Sequence, residues 1–291
     1  LTAQGHHVCI LENDFGAVNV DAMLVQDLLG ERCEIETILF AIPTVDDENK
    51  RRILSICNKT KCNVRILPDI VQLIANGGKD VLSRVRDVRV EDVLGREQIE
   101  LTDLTNTLVS GKVVMVTGGG GSIGSELCRQ IMTFAPAKLI LYDISENYMY
   151  DLFFELQEKY GVLVKNTVEL RVGSIRDRST LDRVFDEFRP EIVIHAAAHK
   201  HVPLMEDSPE QAVINNVFGT LNVAQCAMAH GVKRFVMIST DKAVNPTNVM
   251  GATKRCCEMI LQYMAQESSQ TEFVAVRFGN VLGSNGSVIP L

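Results

Sequence analysis

The sequence predicts an α/β protein whose main part is a doubly wound parallel sheet, preceded by a smaller, incomplete α/β module. One observation is a strand, a glycine-rich turn and a helix start that follow one another from Lys112 onward. A second is the regular alternation of apolar, β-branched segments with amphipathic segments from Gly111 to Leu291. A third is a shorter, less regular alternation before residue 76. Sheets of this class bind ligands at the carboxyl ends of their strands, so we expect the site there.

Composition narrows the classes of function. The net charge of −8, without any basic run, argues against nucleic-acid binding. The eight cysteines include no CxxC pair, which indicates free thiols in a reducing compartment. Because of these thiols we expect a cytoplasmic protein. No apolar run reaches the roughly 18 residues of a membrane span. The chain begins at Leu1 rather than Met, which indicates a piece of a longer protein, with the cytoplasmic face of the inner membrane as the alternative location.

Residues 1–75 alternate strand and helix patterns and are predicted to form a partial Rossmann-like module. An amphipathic helix is predicted at 47–60 and a second helix near 22–30. The predicted strands are 6–13, 36–43 and 62–70. The module lacks a glycine motif, so we assign it no nucleotide. Residues 76–110 are charged and irregular, and we predict a linker that packs against the next domain, which spans 111–291.

The larger domain reads as six strands separated by helices. The predicted strands are 112–117, 138–143, 168–173, 191–198, 233–240 and 272–280. The predicted helices are 122–134, 146–160, 179–188, 209–230 and 247–267. Right-handed connections between such strands give a doubly wound parallel sheet.

The glycine turn between the first strand and the first helix predicts a pyrophosphate site. Glycines let a backbone approach phosphates closely, and the start of a helix offers N–H groups and a positive dipole. Both the general dinucleotide spacing and the variant of short-chain dehydrogenases fit here, and an ordinary glycine-rich turn is the alternative. The residues assigned to the coenzyme are Thr117, Gly118, Gly121, Ser122, Ile123 and Gly124.

An acidic residue ends the second strand of this domain. Asp143 lies nineteen positions beyond Gly124, where a carboxylate would accept the ribose hydroxyls of NAD. The same charge would repel a 2′-phosphate, so the sequence favours NAD over NADP, although Arg171 and Arg176 lie nearby. Capping of the next helix is an alternative role that is compatible with the first.

Small and polar residues follow the fourth and fifth strands. Ala196, Ala197 and Ala198 would let a coenzyme lie across the sheet edge, and Lys200 is predicted to contact substrate or phosphate. The neighbouring histidines lack further ligands with metal-site spacing, so no metal is predicted. At the fifth strand, Thr240-Asp241-Lys242 offers a hydroxyl, a carboxylate and an amine, and capping of the next turn is the alternative.

Two segments carry a resemblance to a known family. STDKAVNPTNVMGATKR and VRFGNVLGSNGSVIPL resemble the nucleotide-sugar dehydratases of bacterial polysaccharide biosynthesis, within the extended short-chain dehydrogenase/reductase superfamily. These include UDP-N-acetylglucosamine 4,6-dehydratases and their capsular-polysaccharide relatives. The match runs from about Val90 to the end, with several motifs in the same order.

The resemblance implies a 4,6-dehydratase that uses NAD on a UDP-sugar. It makes Lys242 the base for C5, Asp241 the acid for the departing C6 hydroxyl, and Thr240 a positioning group. Lys254 would hold the nicotinamide ribose, while Met250 stands where the superfamily has its catalytic tyrosine. In this the chain resembles the large, often membrane-anchored branch of the family, which also has methionine there, and a thioether transfers no proton.

The same resemblance assigns further contacts. It places Asn216, Phe278 and the pair Ser174-Ile175 at the coenzyme, with serine where relatives commonly have aspartate. It places Asn280 at the substrate diphosphate and implies a homo-oligomer. A small C-terminal lobe that covers the sugar nucleotide in relatives is largely absent after Leu291. Two alternatives remain, a nucleotide-sugar epimerase and a non-catalytic dinucleotide-binding module.

Overall fold

The computed structural model describes residues 8–11, 37–41, 47–57, 62–67, 86–87 and 107–281. The chain divides into two compact units, Leu1–Glu100 and Leu101–Leu291. The helix predicted near 22–30 and most of the predicted linker lie outside the described residues. Among the described residues, none of the helices combines the length and apolar character that crossing a bilayer requires.

The first unit contains a small sheet in the order β1-β2-β3-β4. Its elements are β1 (Val8–Leu11), β2 (Thr37–Phe40), α1 (Asp47–Cys57), β3 (Asn63–Ile66) and β4 (Arg86–Asp87). The first three strands are parallel and β4 is antiparallel to β3. Apolar residues of β2, β3 and α1 pack together, among them Phe40, Leu54 and Ile66. The smaller α/β module predicted from the sequence is therefore confirmed as a fold.

The second unit is built on six parallel strands in the order β10-β9-β8-β5-β6-β7. The strands are β5 (Val113–Thr117), β6 (Lys138–Asp143), β7 (Val168–Val172), β8 (Ile192–His195), β9 (Arg234–Thr240) and β10 (Glu272–Phe278). The chain moves outward from β5 through β6 to β7, then returns to the other side of β5 with β8. This reversal opens a crevice at the carboxyl ends of β5 and β8, and the predicted doubly wound fold is confirmed.

Helices cover both faces of this sheet. They are α2 (Ser122–Thr133), α3 (Glu146–Tyr160), α4 (Val162–Thr167), α5 (Arg178–Phe188), α6 (Val202–Asp207), α7 (Pro209–Ala212), α8 (Gly219–Ala229) and α9 (Val249–Glu267). Alternate residues of a strand point to opposite faces. Val114 and Val116 accordingly pack in the core beneath α2 and α3, while Met115 packs in the core beneath α5, α8 and α9.

Some predicted elements differ from the observed ones, and the sixth strand, predicted at 272–280, ends at Phe278. The single helix predicted at 209–230 is α7, a π-helix (Val213–Phe218) and α8, and α6 precedes it. The short helix α4 was not predicted. The fourth strand ends at His195 rather than at Ala198, and the last ladder bond to β5 runs from the amide of Ala196 to the carbonyl of Thr117 (2.9 Å). The three alanines therefore lie on the loop that follows β8.

Candidate active site

The turn between β5 and α2 packs so closely that it requires glycine. Gly118 has φ +72°, and a Cβ at this position would lie 2.5 Å from the backbone nitrogen of Ala197. A Cβ on Gly124 would overlap the carbonyl oxygen of Gly118. The N-cap residue of α2, Gly121, makes no side-chain capping bond. The turn therefore presents bare backbone and the start of a twelve-residue helix, the elements that suit an anionic group.

A carboxylate from β6 faces this turn. Asp143 Oδ2 accepts the amide hydrogen of Gly120 (2.9 Å), and Oδ1 accepts that of Ser145 (2.9 Å). The two arginines near it in sequence bind elsewhere. Arg171 donates to Glu187 (2.6 Å), and Arg176 donates to Gln211 (3.0 Å). Arg171 is thus ion-paired with a carboxylate, and the guanidinium group of Arg176 is hydrogen-bonded to a neutral amide, so neither arginine is bonded to Asp143.

A buried histidine joins three elements beneath the turn. His195 Nδ1 lies 2.6 Å from Thr117 Oγ1, and Nε2 lies 2.9 Å from Thr220 Oγ1 on α8. Burial, and then the charge of Lys254, lowers the pKa of His195 to about 3. The ring is therefore neutral near pH 7, with one nitrogen donating and the other accepting. This chain of three side chains fixes the end of β5 from which the glycine turn starts.

The turn after β7 is held from β6 and α8. The hydroxyl of Tyr142 donates to the carbonyl of Ser174 (3.0 Å), while Ser174 Oγ accepts the amide hydrogen of Arg176 (3.2 Å). Ile175 packs so closely on Gly219 that a Cβ there would lie 2.5 Å from its Cδ1. Serine at position 174 thus closes the turn by accepting a backbone hydrogen bond, as a short acidic side chain also would.

The π-helix directs a buried amide toward the loop after β8. Asn216 accepts the amide hydrogen of His199 (2.8 Å) and donates to its carbonyl (3.0 Å) and to Thr253 Oγ1 (3.1 Å). The side chain is 1% exposed. Asn216 therefore joins the loop that carries the alanines to α9. Lys200, the next residue of that loop, is exposed.

The ends of β9 and β10 bring together four of the predicted site residues. The Thr240 hydroxyl donates to Asp241 Oδ1 (2.9 Å), and Lys242 Nζ donates to the same oxygen (3.2 Å). Lys242 Nζ also donates to Asn280 Oδ1 (3.0 Å), which follows β10. The hydrogen bond from Thr240, followed by that from Lys242, lowers the pKa of Asp241. Thr240 also caps the 3₁₀ turn (Asp241–Ala243), so the alternative capping role is present together with these contacts.

Helix α9 packs directly on that turn. A Cβ on Gly251 would overlap the carbonyl oxygen of Lys242. Met250, at the position of the superfamily tyrosine, is 5% exposed and packs with Met205 and Ala212. Lys254 is also 5% exposed, and its ammonium group has no hydrogen-bond acceptor among the described residues. Burial lowers the pKa of Lys254, with Cys257 and Glu258 opposing this shift.

Glu258, one helical turn beyond Lys254, was not among the residues predicted from the sequence. Its carboxylate, 4% exposed, accepts hydrogen bonds from Ser239 Oγ (2.7 Å), Arg277 Nε (2.7 Å), Arg277 Nη2 (2.6 Å) and Arg255 Nη1 (3.1 Å). Its spacing in the sequence could have indicated that Glu258 belongs to the site, because positions 250, 254 and 258 share one face of a helix. A charged residue on a buried helix face requires partners from elsewhere in the fold.

Acid should weaken the contribution of Glu258 to stability. The hydrogen bonds from Arg277, followed by those from Ser239 and Arg255, lower the pKa of Glu258 from 4.5 to about 2. Because the folded state favours the carboxylate, this stabilisation is complete above pH 4.5 and is lost as the pH falls toward 2. We expect Glu258→Gln to lower the free energy of unfolding by about 3 kcal/mol near pH 7 and by less near pH 3. Urea unfolding at both pH values measures this, and an equal loss at both would contradict it.

Comparison with known proteins places the chain in a family. Residues 114–291 match the family described as "Polysaccharide biosynthesis protein". The chain belongs to this family. It is 46% identical over 272 residues to the capsular polysaccharide biosynthesis protein CapD of Staphylococcus aureus, covering 92% of this chain and 44% of that protein. It is 34% identical over 188 residues to a UDP-N-acetylglucosamine 4,6-dehydratase (inverting) of Campylobacter jejuni, covering 63% of this chain and 53% of that protein.

Further proteins are also similar to this chain. Proteins named UDP-glucose 4-epimerase from Rickettsia species are 34% to 36% identical over 183 residues. The X-ray structure of Pen from Bacillus thuringiensis superposes with a TM-score of 0.56 at 37% identity, covering 62% of this chain and 54% of that one. The chain spans about half the length of these curated relatives, or less. The family resemblance stated from the motifs is confirmed.

Within this family member, the fold brings most of the predicted residues to one sheet edge. The glycine turn, Asp143 and the alanine loop form one part of that edge, and Thr240 to Lys242 with Asn280 form another. Phe278 pairs with Thr240 at the end of the β9–β10 ladder. Asn216 joins the loop at His199 to Thr253 on α9, and the charge of Lys254, also on α9, contributes to the lowered pKa of His195. The roles of the individual residues stay predictions.

Proposed function

We propose that the protein is an NAD-dependent nucleotide-sugar 4,6-dehydratase that converts a UDP-sugar, with UDP-N-acetylglucosamine as first candidate, to a 4-keto-6-deoxy product. The observation that carries the proposal is the pair Asp241 and Lys242 at the tip of β9, in hydrogen-bond contact and facing Asn280. Elimination of a hydroxyl needs both a base and an acid, and this pair offers an amine and a carboxyl group side by side. The relative named as a UDP-N-acetylglucosamine 4,6-dehydratase supports it.

The residues at the sheet edge fit a dinucleotide. The glycine turn has no room for a side chain at Gly118 or Gly124, and the start of α2 would face the pyrophosphate. Asp143 would accept the adenosine ribose hydroxyls, while the ammonium group of Lys254 would donate to the nicotinamide ribose. A coenzyme held by these residues would supply hydride transfer, from C4 of the sugar and back to C6.

The remaining chemistry belongs to side chains. Once C4 carries a carbonyl, Lys242 would pass a proton from Nζ to Asp241 Oδ1, 3.2 Å away, against the lowered pKa of that carboxyl group. Lys242 as the free amine then removes the proton from C5, the carbon–oxygen bond at C6 breaks, and Asp241 gives its proton to the departing oxygen, so that water leaves. Lys242 returns a proton to C5 when the hydride reaches C6. The hydroxyl of Thr240 would orient the sugar between these two groups. Lys254 adds a positive charge beside C4 that would stabilise a developing alkoxide.

Met250 limits the roles that helix α9 can fill. Its thioether can neither accept nor donate a proton, and it is packed among apolar side chains. The proton of the C4 hydroxyl must therefore leave by another route than the tyrosine of the wider superfamily. Met250 would instead provide an apolar contact at the sugar and hold α9 against the segment Val202–Asp207.

Incubating the full-length protein with UDP-N-acetylglucosamine and NAD tests this function. Nuclear magnetic resonance should show a 4-keto-6-deoxy sugar, with solvent deuterium incorporated at C5 when the reaction runs in heavy water. The second candidate, an epimerase, is favoured by the relatives named UDP-glucose 4-epimerase. Recovery of only the C4 epimer, without deuterium at C5, would decide for that candidate.

Asp143 should determine the choice between NAD and NADP. We expect Asp143→Ser to move the ratio of NAD to NADP affinity by about tenfold or more toward NADP, because the repulsion of the 2′-phosphate is removed. Isothermal titration calorimetry with both coenzymes measures this ratio. Asp151→Ser, which removes an exposed carboxylate on α3, should leave the ratio unchanged. An unaltered ratio in Asp143→Ser would assign the selectivity to other residues.

A further inference from the structure

A buried carboxylate lies behind the tips of β9 and β10. Glu258 binds Ser239 on β9 and Arg277 on β10, and these two residues are opposite one another in the strand register. The next pair in the register is Thr240 with Phe278, the last of the ladder. One side chain of α9 thus fixes both members of the rung directly before the strands end.

The residues after this rung hold Lys242. Its ammonium group reaches Asp241 Oδ1 on the β9 side and Asn280 Oδ1 on the β10 side (3.2 and 3.0 Å). The two acceptors belong to two different chain segments. A shift of one strand tip relative to the other would therefore separate the ammonium group from one of them.

The bonds of Glu258 are well suited to prevent such a shift. Arg277 donates through Nε to one carboxylate oxygen and through Nη2 to the other, a bidentate geometry that fixes direction as well as distance. Ser239 and Arg255 bring the number of donors to four. The side chain of Glu258 is 4% exposed, while Arg277 and Arg255 are 41% and 40% exposed, so burial shields the carboxylate end of these bonds.

We propose that Glu258 is a positioning residue for the elimination step, which fixes the β9–β10 tips so that Asp241 and Asn280 hold Lys242 in place. The inference rests on the proposed function for its kinetic consequence. Its structural consequence is independent of substrate and coenzyme. Glu258 itself does not touch the reacting atoms in this scheme.

The test compares Glu258→Gln with two control variants. Glu272→Gln breaks the ion pair with Arg234 (2.7 Å) at the other end of the same two strands. Leu261→Ala destabilises α9 at a buried apolar position, one turn beyond Glu258, without removing a hydrogen bond to the tips of β9 and β10. The first control shows whether the effect depends on which end of the two strands loses a contact. The second control distinguishes loss of stability from loss of positioning.

Amide hydrogen exchange in this chain gives the readout that needs no activity. The amides of Lys242 and Val244 donate to Thr240 Oγ1 and to the carbonyl of Asp241. Their exchange should accelerate about tenfold or more in Glu258→Gln, through local opening, and more than in either control. Exchange in Glu258→Gln that only follows global stability, as in Leu261→Ala, would overturn the proposal.

Kinetics in the full-length protein give the second readout. Glu258→Gln should lower kcat by about 10²-fold through misplacement of Lys242, with KM for the UDP-sugar and NAD affinity little changed. A kcat equal to that of Glu272→Gln would overturn the positioning role. If the unaltered protein forms no dehydrated product, the proposed function fails, while the exchange comparison still decides whether Glu258 fixes the two tips.

Discussion

Replacing Lys242 by Met is expected to lower the turnover of UDP-N-acetylglucosamine by about 10³-fold, the loss typical of a missing general base. Met has a similar length but no amine, so the C5 proton would have no acceptor at the tip of β9. The affinity for NAD should be unchanged, since Lys242 contacts Asp241 and Asn280 rather than the glycine turn. Product formation followed by nuclear magnetic resonance, with calorimetry for the coenzyme, measures both quantities.

Lys233→Met is the matched control for this variant. Lys233 precedes β9 at its opposite end, where it is 69% exposed and donates to Glu191 (2.7 Å). Turnover in Lys233→Met should equal that of the unaltered protein. If Lys242→Met kept full turnover, the dehydratase proposal would be wrong, and a non-catalytic dinucleotide-binding module would become the better hypothesis.

A methyl group at Gly118 should greatly weaken NAD binding. Gly118→Ala would bring Cβ to 2.5 Å from the backbone nitrogen of Ala197, so the turn or the alanine loop must move. Both line the expected pyrophosphate site, and we expect the NAD affinity to fall by about 10²-fold, as for a misplaced binding group. Isothermal titration calorimetry measures the affinity directly, and thermal unfolding shows whether the variant is folded.

Gly231→Ala provides a control for backbone strain alone. Gly231 has φ +70°, close to the +72° of Gly118, but a Cβ there would meet nothing within 4 Å. The cost of a left-handed conformation, about 1 kcal/mol, should lower stability in both variants. NAD affinity should fall only in Gly118→Ala. Equal affinity in the two variants would show that the turn does not contact the coenzyme.

Several features of this protein followed from the sequence because they depend on neighbouring residues. The strand Val113–Thr117, the glycines after it and the start of α2 are contiguous, and each has a strong local preference. Alternation of strands and helices then determined the parallel sheet through the handedness of the connections. The carboxyl ends of parallel strands lie at one edge of the sheet. The sequence could therefore also predict that Asp143 and Thr240 lie at the same edge.

Other features arose only from contacts between distant parts of the chain. Ser239 and Arg277 are each nineteen positions from Glu258, and Lys242 is 38 positions from Asn280. No local pattern indicates which arginine a buried carboxylate will bind. The π-helix is a similar case, since the bonds of Asn216 reach the loop at His199 and Thr253 on α9.

The sequence by itself thus determined the fold and the candidates for chemistry, because the fold comes from periodicity and the candidates come from short motifs and from the resemblance to a known family. Tertiary structure alone decided which side chains hold those candidates in place. It paired Arg171 and Arg176 with partners away from Asp143, placed Met250 in an apolar cluster, and gave Glu258 its four donors. Hydrogen-bond partners are selected by three-dimensional proximity and burial, and neither quantity is encoded in the spacing of residues along one strand or helix.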